Sequence, residues 1–144
     1  MIDFIYGEDA RVTAWVARRI GVKFGDTTAI GVERDGELIA GVVYDRYTGN
    51  DICMHVAAEP GARWATKQAM FRFFVYPFVQ LKCSRVTGLV GANNHAARRF
   101  DEHVGFVQEG LLRRGMEDGS DLIVYGMLRE ECRWISDEPA ARTC

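Results

Sequence analysis

Asn94-His95-Ala96-Ala97-Arg98-Arg99-Phe100-Asp101-Glu102-His103-Val104-Gly105-Phe106, followed by Asp118-Gly119-Ser120-Asp121-Leu122-Ile123-Val124-Tyr125-Gly126-Met127-Leu128, is the part of the chain that decides its fold. Asparagine at the head of this run is a helix N-cap, because its short side chain can accept an N–H of the first turn. Ala97, Phe100 and Val104 then recur at helical spacing and predict one apolar face. Gly105 ends the helix in a left-handed turn, and Phe106 opens a strand. A polar loop and a second strand, Leu122–Leu128, complete a helix-to-hairpin unit.

Upstream, Val12, Trp15, Val16 and Ile20 predict a helix over Asp9–Ile20, with a turn at 21–26. Strands follow at Thr28–Arg34 and 37–44, joined by Asp35-Gly36, a sequence that favours the tight two-residue hairpin turn. A turn at 47–50 leads into a third strand at 51–58, giving an antiparallel meander. Glu59-Pro60-Gly61 breaks that strand, and a long helix is expected from Ala62 or Arg63. Its aromatic stripe of Trp64, Phe71, Phe74 and Phe78 reads as a core face. Pro77 lacks an N–H and clashes one turn back, so the helix should kink or end there. A strand at 85–90 precedes the Asn94 helix. Residues 1–135 read as one domain, and 136–144, with Pro139 and small polar residues, read as a frayed tail.

The chain has 144 residues, 48% hydrophobic and 26% charged, which suits one soluble domain with a substantial core. A net charge of -2 argues against an electrostatically driven nucleic-acid binder. No apolar run is long enough to span a membrane, and the N-terminus does not resemble a signal peptide, so a cytoplasmic protein is expected. The four cysteines, at 53, 83, 132 and 144, have neither disulfide-framework nor metal-ligand spacing. No metal is therefore expected, and Cys53 and Cys83 read as small core residues.

The Asn-helix-Gly-Phe-strand unit, with Glu109-Gly110 and the strand after it, resembles the C-terminal half of the GNAT N-acetyltransferases. The resemblance covers about residues 27–134 and is closest to the branch that acetylates ribosomal-protein N-termini and to its phage and bacterial relatives. It implies a mixed α+β fold whose mostly antiparallel sheet splays between the strands at 51–58 and 85–90, with helices on both faces. The pantetheine arm of acetyl-CoA would lie in that V-shaped slot, beside Met54 and Val56. The implied activity is acetyl transfer to a primary amine, of a small molecule or a peptide, by direct attack and without a metal. The amine acceptor is unidentified; a homodimer is compatible with the family, and neither nucleic acid nor membrane is an expected partner. The competing readings are a GNAT-like module that binds CoA or a protein without turnover, and an unrelated α+β fold.

The resemblance also distributes roles. A helix N-terminus holds anions through unpartnered N–H groups and its dipole, and the family's glycine loop aligns with Gly61, Ala62, Arg63 and Trp64. Arg63 stands where the second glycine is usual, so its guanidinium either blocks the backbone or binds phosphate itself. Asn94 is placed against the pantetheine arm. Asp101 stands where many members carry a proton-donating tyrosine, and an ionised carboxylate cannot donate unless its pKa is strongly raised. From the residues themselves, His55 is the candidate base, because an imidazole titrates near neutral pH and the strand alternation turns it away from Met54 and Val56. The plain alternative is a packed histidine. His95 and His103 read as surface groups. Acceptor choice is expected to rest on residues 44–50 and the region before 27.

Overall fold

The computed structural model describes residues 1–135; the expected tail at 136–144 lies outside the described residues. The elements run β1 (Ile2–Ile5), α1 (Asp9–Ile20), β2 (Thr28–Arg34), β3 (Glu37–Asp45), β4 (Cys53–Ala58), α2 (Lys67–Val75), β5 (Arg85–Gly91), α3 (His95–Val104), β6 (Val107–Leu112) and β7 (Leu122–Leu128). The seven strands form one sheet in the order β1-β2-β3-β4-β5-β7-β6. Every neighbouring pair is antiparallel except β4 and β5. This is the α+β sheet expected from the sequence.

Local chemistry explains much of it. Asp35 and Gly36 both adopt positive φ, 54° and 82°, as a tight hairpin turn between β2 and β3 requires. The Asn94 side chain accepts the Ala97 N–H at 3.1 Å, and Gly105 closes α3 with φ 125°. Helix α1 packs on one face through Val12, Trp15 and Val16 against Val43 and Ala57. A Cβ on Gly41 would lie 2.9 Å from Val12 and 3.1 Å from Val16, so the glycine lets α1 approach β3 closely. The opposite face carries the larger core, in which Met70, Phe73, Phe74, Phe78 and Val104 from the α2 and α3 side meet Val42, Tyr44, Met54, Val86, Tyr125 and Met127.

Two expectations are corrected. Strand β1 was not anticipated: four residues at a sheet edge, half-buried, leave too short a pattern to recognise. The long helix begins at Lys67 rather than at Ala62 or Arg63. Thr66 is its N-cap, extended at ψ 165°, and accepts the Ala69 N–H at 3.1 Å. The later start shifts the buried face to Ala69, Met70, Phe73 and Phe74, leaving Phe71 half-buried.

The helix continues past Val75 as a π turn, Tyr76–Gln80, closed by the Leu81 N–H on the Tyr76 carbonyl at 3.0 Å. Pro77 offers no N–H to the Phe73 carbonyl one turn back, and the buried Tyr44 hydroxyl donates to that carbonyl instead. Among the described residues no helix is long and apolar enough to cross a membrane.

Candidate active site

The parallel pair β4–β5 is where the sheet opens. Cys53 pairs with Thr87 and Met54 with Gly88, and no pairing continues beyond them. From His55 to Ala58 and from Leu89 to Gly91, the two strands diverge. Backbone direction alternates along a strand. The Thr87 N–H bonds the Ile52 carbonyl, and the Glu59 N–H bonds the Ile39 carbonyl on the far side. Even-numbered β4 residues therefore address β5, so Val56 and Ala58 turn their N–H and C=O groups into the gap. An extended ligand could pair there like an added strand.

Both strands end at the wide mouth of this slot, and each leads into a helix on the same face. The mouth is therefore flanked by two helix N-termini, capped by Thr66 and Asn94. The first amides of each helix have no intrahelical partner, so both ends favour an anion. On α2 these are the amides of Lys67 and Gln68. The Gly61–Trp64 segment precedes that start instead of forming it. Gly61 turns the chain at φ 79°, and the Arg63 carbonyl is held by Arg34 at 3.2 Å while its side chain is exposed. Ala62 is half-buried on the main core. Trp64 is buried, its ring 5.7 Å from Phe73 and 5.5 Å from Phe100, so it bridges α2 and α3.

The slot vertex separates two titratable groups. His55 pairs across the sheet with Val43, on the α1 face. Its Nε2 lies 2.8 Å from Asp45 Oδ1, with side chains only 9% and 14% exposed, and the Phe24 ring meets it edge-on at 4.9 Å. On the other face, Asp101 of α3 lies over Gly88: a Cβ there would come within 3.3 Å of Asp101 Oδ2. Burial, reinforced by the nearby charge of Glu102, pushes the Asp101 carboxyl up to about 7. The objection that this carboxylate could not give up a proton therefore does not hold for the folded chain. His95 and His103 are exposed on α3, away from this pair.

Sequence reasoning thus located Met54, Val56, His55 and Asn94 around the slot but missed three features. Thr66 and the amides behind it could have been found, since a threonine ahead of Lys-Gln-Ala is an N-cap signal. Asp45 and the protonated state of Asp101 could not, because the first depends on the β3–β4 register and the second on the packing of α3 onto β5. Among the described residues no cluster of three or more His, Cys, Asp or Glu could hold a metal.

No family model matches the sequence, and no curated protein matches it. Solved structures do. Mutant forms of the spermidine/spermine N-acetyltransferase SpeG from Vibrio cholerae align at TM-score 0.71 with 15% identity, over 90% of this chain and 96% of theirs. A probable acetyltransferase aligns at TM-score 0.65 and 19% identity, over 85% of this chain and 70% of its own. A third protein, provisionally assigned as an acetyltransferase, aligns at TM-score 0.74 and 20% identity, over 99% and 94%. With the splayed β4–β5 pair, these likenesses establish that the chain has the fold of the GNAT acetyltransferases.

Proposed function

We propose that the chain is an acetyl-CoA-dependent N-acetyltransferase acting on a primary amine by direct attack. The observation that carries this reading is the sheet opening beyond Met54 and Gly88, with slot-facing backbone groups and two helix N-termini at its mouth. Acetyl-CoA supplies the acetyl group as a thioester. Its pantetheine arm fits against Val56 and Ala58, near Asn94, and its phosphates fit the Lys67 and Gln68 amides with Arg63 alongside. The Val56 N–H, the first slot-facing amide past the last pair, is positioned to stabilise the oxyanion.

On the α1 face, His55 takes the proton of the incoming ammonium, directly or through water, and Asp45 orients the ring. The amine nitrogen then bonds to the carbonyl carbon, the carbon–sulfur bond breaks, and the nitrogen releases its second proton to water, which leaves the neutral amide. Asp101, protonated near neutrality, gives its proton to the departing sulfur. Base and acid thus stand on opposite faces of the sheet.

CoA or acetyl-CoA at about 100 times its dissociation constant should stabilise the fold by about 2.7 kcal/mol. A thermal-shift titration in low-phosphate buffer measures this, and a flat curve up to millimolar CoA would refute the reading. Turnover is expected to fall about 100-fold or more in His55→Ala, as for loss of a general base, with His95→Ala and His103→Ala unaffected. Rates from pH 6 to 9 for the three variants, with His55→Gln as a check on packing, decide it; equal rates remove His55 from the mechanism. A CoA-binding module without turnover is the second reading, favoured by the burial of His55, whose side chain is 9% exposed beneath the Phe24 ring. CoA bound with no thiol released from acetyl-CoA across an amine screen selects it.

A further inference from the structure

Helix α3 carries Asp101 over the sheet, yet apolar packing holds it mainly at its far end. Val104 is buried in the main core, whereas Ala97 and Phe100 are half-buried against it. The C-terminal end is also tied by Arg133, which donates to the His103 and Val104 carbonyls at 2.7 and 3.1 Å. The middle of the helix is gripped through one hydroxyl. Tyr125 of β7 is 0% exposed; it donates to Glu102 Oε2 at 2.7 Å and accepts Arg98 Nε at 3.2 Å. Arg98 also donates to the Ala92 carbonyl just after β5 at 3.3 Å, and reaches Gln108 Oε1 of β6 at 3.5 Å.

Each contact bears on Asp101. Arg98 precedes Asp101 by three residues and Glu102 by four, so one helix face presents all of them to the sheet. A guanidinium can only donate, so the Tyr125 hydroxyl turns its proton to Glu102, which favours the ionised carboxylate. Gly88 completes the arrangement. A Cβ there would stand 3.3 Å from Asp101 Oδ2 and 3.6 Å from the Tyr125 Cβ, so carboxyl and tyrosine share the space that one missing side chain leaves. The charged or titratable groups around Asp101 are therefore Glu102 and Arg98 of α3 and Tyr125 of β7. Gly88 of β5, Phe106 and Gln108 of β6 carry no charge. Burial first and the Glu102 charge second raise the proton affinity of Asp101, and both depend on how α3 is seated.

We propose that Tyr125, Glu102 and Arg98 are positioning residues: a clamp that seats the Asp101 carboxyl over Gly88 and fixes the negative charge beside it. The inference rests on the reading of Asp101 as proton donor to the leaving sulfur, and extends it to three residues that act through Asp101. Tyr125 is the centre of the clamp, because its hydroxyl is the atom on which both helix side chains converge.

The test follows the Asp101 carboxyl carbon resonance, assigned by its loss in Asp101→Asn, from pH 4 to 9 in the full chain without CoA. Glu102→Gln and Tyr125→Phe should each lower the titration midpoint by about half a unit or more. The first removes the neighbouring negative charge, and the second releases it toward water. Arg98→Gln removes a positive charge instead and should not lower the midpoint. In turnover, the loss of kcat above neutrality should move to lower pH in Glu102→Gln and Tyr125→Phe, with the KM for acetyl-CoA unchanged. Glu102 is exposed, so Glu102→Gln keeps the test open even where Tyr125→Phe loosens the fold. A midpoint equal to the parent's in Glu102→Gln and in folded Tyr125→Phe, or one lowered equally in Arg98→Gln, would overturn the proposal. The titration needs no turnover, so shifted midpoints in a protein that transfers no acetyl group would count against the acetyl-transfer reading and not against the clamp.

Discussion

Asp101→Asn is expected to stabilise the protein at pH 8, to leave it nearly unchanged at pH 4, and to slow acetyl transfer. Burial, with Glu102 adding to it, raises the carboxyl to about 7, whereas an unfolded chain releases this proton near about 3.9. Between those values the folded state holds a proton that the unfolded state has lost. Stability contributed by this group is therefore present below about pH 4 and is lost as pH rises through about 7. At pH 8 the wild type buries an ionised carboxylate over Gly88, and the neutral amide of similar shape does not. A shift of about three units sets an upper limit of about 4 kcal/mol on the gain, and about 2 kcal/mol is a reasonable expectation. Urea denaturation of both proteins at pH 4, 6 and 8 measures the difference. A gain that does not grow with pH would show that Asp101 is ionised in the fold throughout. In the proposed mechanism the same substitution also removes the proton donor for the leaving sulfur, so a more stable protein with slower acetyl transfer is the joint signature.

Trp64→Ala should cost about 3–5 kcal/mol, the range for deleting a large buried aromatic side chain. The ring is 7% exposed and touches Phe73 of α2 and Phe100 of α3, so its loss opens a void between the helices that frame the slot. Against a total stability of about 5–15 kcal/mol, such a loss could unfold the chain. Trp64→Phe, which keeps most of the packing, gives a folded comparison. Denaturation midpoints of the three proteins provide the test, and an alanine cost below about 1 kcal/mol would mean that the indole does not hold α2 to α3. In the sequence this residue reads both as part of the core stripe and as part of a phosphate loop; in the fold it is a core residue beside the slot.

What the sequence determined by itself is local. Helix α1 matches its expected bounds because its apolar spacing and the glycine behind it act within a few residues. The Asp35-Gly36 hairpin and the Asn94-to-Gly105 helix follow from turn and cap chemistry of equally short range. The aromatic helix was recognisable but not its first turn: Trp64 continues the apolar stripe in the sequence, whereas the threonine cap two residues later sets the start. Tertiary structure alone decided the site. The slot exists because β4 and β5, some thirty residues apart, pair at two positions and then separate, and no local signal specifies where a parallel pairing stops. Asp45 meets His55 only through the β3–β4 register. Asp101 holds its proton only because α3 presses it onto β5, since desolvation belongs to the environment that a residue enters and not to the residue itself.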